Sequence, residues 1–203
     1  YNLTDVFVPA LLNGVLNFTN KNKMQYVGFS NGCRAALDSL ERGKFDSNKV
    51  ETFVAVGCPG SFEGNSTFGI TLNSLGDDAI KKFRQENKNH ITFRNIFEAI
   101  LPGFSITNSQ REKISVNLFY QYYNWSFGSL DSQPGNTSLN KFVIIQGDAF
   151  GTHDGIVITN DEKAIFNNVQ SDSKKYMRNF ATHTGLDGSS RTKSIIRKTL
   201  NKE

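Results

Sequence analysis

The chain has 203 residues, with 23 Lys and Arg against 19 Asp and Glu, a formal net charge of +4. Hydrophobic residues make up 37% and charged residues 21%, which excludes an intrinsically disordered chain and is enough for a substantial core. No apolar run approaches the roughly 20 residues that a bilayer-spanning helix needs, and two cysteines, Cys33 and Cys58, are too few for a disulfide scaffold.

The positive charge gathers in the tail at Arg191, Lys193, Arg197, Lys198 and Lys202. A solvated helix face accounts for it, and no zinc-finger or RNA-binding spacing points to nucleic acid. Asn-x-Ser/Thr triplets at Asn2, Asn17, Asn65, Asn124 and Asn136 follow from an Asn-rich composition.

In chain order, Pro9 suits the first turn of a helix over 9–19, with Leu11, Leu12, Val15 and Phe18 predicted on one face. Met24 to Phe29 reads as a short buried strand. It runs into Gly28-Phe29-Ser30-Asn31-Gly32, a G-x-S-x-G pattern. Cys33, Ala36, Leu37 and Leu40 then recur at i, i+3, i+4 and i+7, a helix that Gly43 is placed to end. Strand, sharp turn and helix are the context that holds a serine oxygen exposed for attack on an acyl carbon. Phe53 to Val56 predicts a strand buried on both faces, closed by Gly57-Cys58-Pro59-Gly60. Cys33 and Cys58 each follow one of two neighbouring strands, so they are either two buried thiols or close enough to pair.

From 61 to 140 the chain is dense in aromatics, among them Phe62, Phe97, Phe119, Tyr122 and Trp125. Helices are predicted over Asp77 to Gln85 and Thr92 to Leu101, and Ser109-Gln110-Arg111-Glu112 reads as a capping box opening a third. The expectation is a helical cap inserted over the strand edge, between two parts of a core at 1–60 and 141–203. Phe142 to Ile145 is another doubly buried strand. A short helix over Lys163 to Asn168 follows, with Asp161 as its cap. Tyr176 to Ala181 reads as a last strand, and Ser189 or Ser190 caps a final helix carrying Ile195, Ile196 and Leu200. Strands alternating with helices imply an α/β fold with right-handed crossovers in a parallel sheet, and chemistry at the strands' carboxyl ends.

A nucleophilic serine needs a base, and the base needs an orienting acid. Of His90, His153 and His183, the last is the best base, because it follows the last predicted strand. Asp154, in the loop after the Phe142 strand, is the best acid, with Asp148 as its competitor.

These pieces together resemble the C-terminal part of an α/β-hydrolase of the bacterial lipase and esterase kind. Gly28-Phe29-Ser30-Asn31-Gly32 resembles the nucleophile elbow, and Gly57-Cys58-Pro59-Gly60-Ser61 resembles the Gly-Thr-Pro-His turn of many lipases. Asp154-Gly155-Ile156-Val157 resembles the acid loop, and His183-Thr184-Gly185-Leu186 the His-x-Gly-Leu segment. The resemblance implies Ser30 as nucleophile, His183 as general base, Asp154 as its orienting acid, and the Asn31 backbone N–H as one oxyanion donor. It implies a serine hydrolase of carboxylic esters, and together with the aromatic cap it makes lipid esters the expected substrates. A peripheral contact with membranes is a further expectation, no cofactor is expected, and no His-Glu-x-x-His or comparable cluster points to a metal. Phe29 stands where many lipases have His, Cys33 where a second Gly is common, and Gly60 in place of the turn's His. An intact member has strands before the elbow, one of whose loops carries the second oxyanion donor, and these front strands are expected to be missing here. A non-catalytic module of the same fold, binding lipid or protein through its aromatic cap, is the alternative.

Overall fold

Alternating side chains of two apolar strands bury themselves in opposite directions and so divide the structure into layers. The computed structural model describes residues 3–60, 90–92, 113–115 and 134–201. The chain forms two compact units, Tyr1–Thr67 with Leu130–Glu203, and Phe68–Ser129.

In the first unit, β1 (Met24–Phe29), β2 (Val50–Val56), β5 (Lys141–Gly147) and β6 (Ser173–Asn179) form one parallel sheet in the order β1-β2-β5-β6. Register runs Phe29 to Val56 between β1 and β2, Val56 to Ile145 between β2 and β5, and Ile145 to Met177 between β5 and β6. Phe53, Ala55, Phe142 and Ile144 point to one face, where they meet α1 (Val8–Thr19), α2 (Asn31–Glu41) and α3 (Thr159–Asn168). Val54, Val56, Val143 and Ile145 point to the other, where Leu186 of α4 (Gly185–Gly188) and Ile195, Ile196 and Leu200 of α5 (Ser190–Leu200) cover them. This two-sided burial is why β2 and β5 read as continuous apolar runs.

Two helix ends match their sequence signals. Gly43 follows the last turn of α2 at φ 64°, a backbone conformation that glycine adopts without strain. Ser189 caps α5, its Oγ accepting from the Thr192 N–H at 3.3 Å.

Several expectations are corrected. In α1 the buried stripe is Val8, Leu12 and Leu16, while Leu11, Val15 and Phe18 face outward, Phe18 at 93% exposure. The helix is apolar on more than one side, so periodicity alone did not fix which stripe packs on α2. β1 is half exposed rather than buried, with Val27 and Phe29 open, because it is an edge of this sheet and the α5 layer packs on β2, β5 and β6. Helix α3 starts at Thr159, so Asp161 sits in its first turn instead of capping it, where its charge suits the helix's positive end. The last strand ends at Asn179, whose Nδ2 donates to Ser189 Oγ and Thr192 Oγ1 at 2.8 Å each, tying β6 to the start of α5.

In the second unit, β3 (His90–Thr92) and β4 (Lys113–Ser115) pair antiparallel, with Ile91 opposite Ile114. A strand therefore stands where the capping box predicted the opening turn of a third helix; pairing with a distant partner satisfies the backbone there and overrides the local signal. Of the rest of the expected cap, residues 134–140 belong to the first unit, with Leu139 buried in its core, and the remainder lies outside the described residues.

Candidate active site

Ser30 ends β1 and opens α2 in one step. Its N–H continues the sheet ladder to Val56 O at 2.9 Å, while its C=O already accepts from the Cys33 N–H at 3.1 Å. To serve both, Ser30 adopts φ 51° and ψ −128°, a conformation costly for any residue with a side chain. The turn also brings the strand against the helix. A Cβ on Gly28 would lie 2.5 Å from Cys33 Cα, so glycine is required there, whereas Gly32 has open space. Cys33 therefore fills the close contact that the resemblance assigns to a second glycine.

Ser30 occupies a helix-capping position, yet its hydroxyl makes no capping bond. It lies 2.8 Å from His183 Nε2 instead. His183 Nδ1 in turn lies 2.7 Å from Asp154 Oδ2. The histidine is buried and doubly tied to the acid loop, because its own N–H donates to Asp154 O at 2.7 Å. Phe29 lies beside the imidazole, ring centroids 5.0 Å apart. On another side stands Gly57 at φ 54°, where a Cβ would meet His183 Nδ1 and Cε1 at 3.2 Å.

The acid loop explains why Asp154 and not Asp148 faces the histidine. Asp154 Oδ1 accepts from the Ile156 and Val157 N–H groups at 2.9 and 2.7 Å, which fixes the carboxylate and leaves Oδ2 for the imidazole. Gly155, at φ 104°, permits the tight return. Asp148 is paired with Arg178 at 2.7 Å. His153 accepts the Gly155 N–H on Nδ1 and stacks on Phe150 at 5.0 Å, a role in the loop's own structure. His90 lies on β3 in the second unit, its side chain outside the described residues.

The Asn31 N–H belongs to the first residue of α2, where no helical acceptor exists. It makes no hydrogen bond among the described residues.

Two features went unassigned in the sequence. Cys33 and Cys58 form a disulfide, with Cα atoms 5.8 Å apart, joining the first turn of α2 to the turn after β2. Glu162, on α3, is fully buried, and its Oε1 accepts from the Cys58 N–H at 3.1 Å. Glu162, Ile165 and Val169 fall at i, i+3 and i+7, so the helical period did place this carboxyl on the buried stripe. Among the described residues no group of three His, Cys, Asp or Glu could hold a metal ion.

Known structures share this arrangement of sheet and helices. A monoacylglycerol lipase from Paleococcus ferrophilus is similar with a TM-score of 0.57, at 13% identity over 97% of this chain and 75% of that one. The chain has the α/β-hydrolase fold. Further likenesses are a soluble variant of monoglyceride lipase from Saccharomyces cerevisiae and an esterase from Exiguobacterium antarcticum. The first has a TM-score of 0.55 and 11% identity over 96% of this chain and 65% of that one. The second has a TM-score of 0.55 and 12% identity over 98% of this chain and 75% of that one. No protein-family model and no curated protein sequence matches the chain. Among the described residues the large sheet has four parallel strands, the first of which runs into the Ser30 turn.

Proposed function

We propose that this chain carries the catalytic residues of a serine hydrolase that cleaves carboxylic esters. One observation carries the reading: Ser30 Oγ, His183 Nε2 and Nδ1, and Asp154 Oδ2 stand in a continuous line of contacts at 2.8 and 2.7 Å. In this reading His183 Nε2 removes the hydroxyl proton as Ser30 Oγ attacks the ester carbonyl carbon. The resulting oxyanion takes a hydrogen bond from the Asn31 N–H. The tetrahedral centre collapses, the carbon–oxygen bond to the alcohol breaks, and the imidazolium returns its proton to the departing oxygen. Water then attacks the acyl-serine, gives its proton to His183, and the acid leaves as Ser30 recovers its hydrogen. Asp154 stays ionised, holding the imidazole with its free nitrogen toward Ser30 and stabilising the imidazolium between proton transfers.

Lipid esters are the proposed substrate class. Two of the similar structures are named as monoacylglycerol and monoglyceride lipases. Phe29, Phe150, Ile156 and Phe180 add exposed apolar surface on segments at the strands' carboxyl ends. Contact with a lipid surface is proposed as peripheral; among the described residues no helix is long and apolar enough to cross a membrane. A binding module without catalysis would need no serine hydroxyl aimed at an oriented histidine.

The test is labelling of the full-length protein by a fluorophosphonate probe. Labelling is expected for the unaltered protein and lost in Ser30→Ala; labelling that survives the substitution refutes the nucleophile. A p-nitrophenyl ester series tests the substrate class, and a preference for acetyl over longer acyl chains would overturn the lipid assignment.

A further inference from the structure

The triad uses one buried carboxyl, and the structure contains a second beside it. Glu162 is 0% exposed, projects from the first turn of α3, and is used by no step above. We infer that Glu162 is a positioning residue: its buried carboxyl holds the Cys58 N–H and so fixes the Gly57-Cys58 turn against which His183 packs. The inference rests on the triad reading, and adds to it a residue whose side chain hydrogen-bonds to Cys58 and to neither Ser30 nor His183.

The turn after β2 is held from three directions. The Gly57 N–H donates to Ile145 O at 3.0 Å, which ties it to the sheet. The Cys33–Cys58 disulfide ties it to α2, three residues beyond the nucleophile. The Glu162 carboxyl ties it to α3 through the Cys58 N–H at 3.1 Å. What the turn presents to the site is the bare Gly57 Cα. A Cβ there would be crowded, 3.2 Å from the imidazole and 3.0 Å from Leu186 Cδ1, on a backbone at φ 54° that side chains rarely adopt. Such a wall acts only if it stays in place. A buried N–H without an acceptor costs more than the bond gains, so removing the carboxyl would drive the Cys58 peptide to turn toward another partner. Gly57 would turn with it, and the imidazole would lose the surface that sets its plane.

The carboxyl's charge state agrees with this role. Burial, together with the Asp154 carboxylate and to a lesser degree Asp161, pushes the Glu162 pKa well above the usual carboxylate range, while the Cys58 N–H opposes the shift. Its Oε2 has no hydrogen-bond partner among the described residues. A neutral acid tolerates that and an anion does not. With Glu162 neutral, the imidazolium that forms at His183 sees one carboxylate, Asp154, on its own axis. Two ionised carboxylates would repel each other and pull the ring between them.

The test uses the full-length protein and p-nitrophenyl butyrate, with each rate divided by the sites titrated with a fluorophosphonate. Glu162→Met keeps the volume and removes the acceptor. It should lower kcat about ten- to hundredfold with KM nearly unchanged, since a small misplacement of a reacting group costs that much. Glu162→Gln supplies the same acceptor without a charge and should recover kcat to within about threefold of the unaltered protein. A low-field proton resonance from His183 Nδ1–H should be sharp in the unaltered protein and Glu162→Gln and broadened in Glu162→Met. A purely structural Glu162 would lower the melting temperature and leave kcat per titrated site unchanged, which overturns the inference. Should Glu162→Met not fold, Glu162→Asp decides: the shorter carboxyl retracts from Cys58, and an unaltered kcat again overturns it. The two readings fail separately. Loss of labelling in Ser30→Ala with no effect of any Glu162 substitution sinks this inference alone, whereas an unaltered protein that never labels sinks the triad reading itself.

Discussion

Replacing Asp154 by Asn tests the orientation of the base rather than its presence. Asp154 Oδ1 accepts two N–H groups, from Ile156 and Val157, so in the amide that position must stay an oxygen. The amide NH2 then occupies the place of Oδ2, 2.7 Å from His183 Nδ1. Two donors cannot face each other, so Nδ1 becomes the acceptor and the ring proton moves to Nε2. There it points at Ser30 Oγ, and the imidazole cannot take the hydroxyl proton. The geometry survives and the base is lost. The same tautomer trap in a serine-protease triad costs about 10⁴ in kcat, or about 5 kcal/mol of transition-state stabilisation. Asp154→Asn should therefore lose about four orders of magnitude in p-nitrophenyl butyrate hydrolysis, measured as kcat per folded protein, with a folded circular dichroism spectrum. Fluorophosphonate labelling should slow in parallel, since it needs the same proton transfer. A variant within about tenfold of the unaltered rate would refute the orienting role, and a larger loss in Asp148→Asn would transfer it to the neighbouring acid.

Three further outcomes are expected. Replacing both Cys33 and Cys58 by Ser opens a cross-link between residues 25 apart in sequence; chain entropy puts the cost at about 3.5 kcal/mol, read as a lower denaturant midpoint, and an unchanged midpoint would show that the link adds no stability. Gly28→Ala places a Cβ 2.5 Å from backbone at Cys33; it should cost about 1–3 kcal/mol and slow fluorophosphonate labelling, and a fully active, equally stable variant would contradict the close strand–helix approach. Asp38 is held up to about 6 by burial, which outweighs the lowering by Arg34. Between pH 4 and 6 the folded state therefore binds more protons than the unfolded, so this group's contribution falls as pH rises through that window, by about 3 kcal/mol in all. The stability of Asp38→Asn relative to the unaltered protein should rise across the same window, and a flat difference in chemical denaturation would refute the shift.

The residues of the proposed triad could be picked out because each sits where chemistry constrains local sequence. Ser30 needs Gly28 for clearance, Asp154 needs Gly155 for its return, and His183 follows the last strand in a short polar turn. The doubly buried strands β2 and β5 were legible for a related reason, since two covered faces leave no polar alternation. What failed depended on partners that periodicity does not name. Met24 to Phe29 has the composition of a buried strand, yet β1 lies at a sheet edge. The wrong stripe of α1 was chosen because more than one of its faces is apolar. The disulfide could not be decided, because Cys33 and Cys58 become neighbours only through the parallel pairing of β1 with β2. Glu162 was passed over because a glutamate at a helix start reads first as a solvated charge.

The site is also unevenly spread along the chain. His183 and Asp154 are 29 residues apart, whereas His183 and Ser30 are 153 apart. Closing the longer loop costs about 1.5 kcal/mol more in chain entropy. The base and its acid can therefore meet within the last third of the chain, using β5 and β6 alone, and the serine can join only after β2 has added to β5 and β1 to β2. During refolding, the environment of His183 should recover before the protein regains the power to react with a fluorophosphonate. A chain caught between those two events would hold an oriented imidazole with no hydroxyl to deprotonate, a partly folded state that is chemically silent.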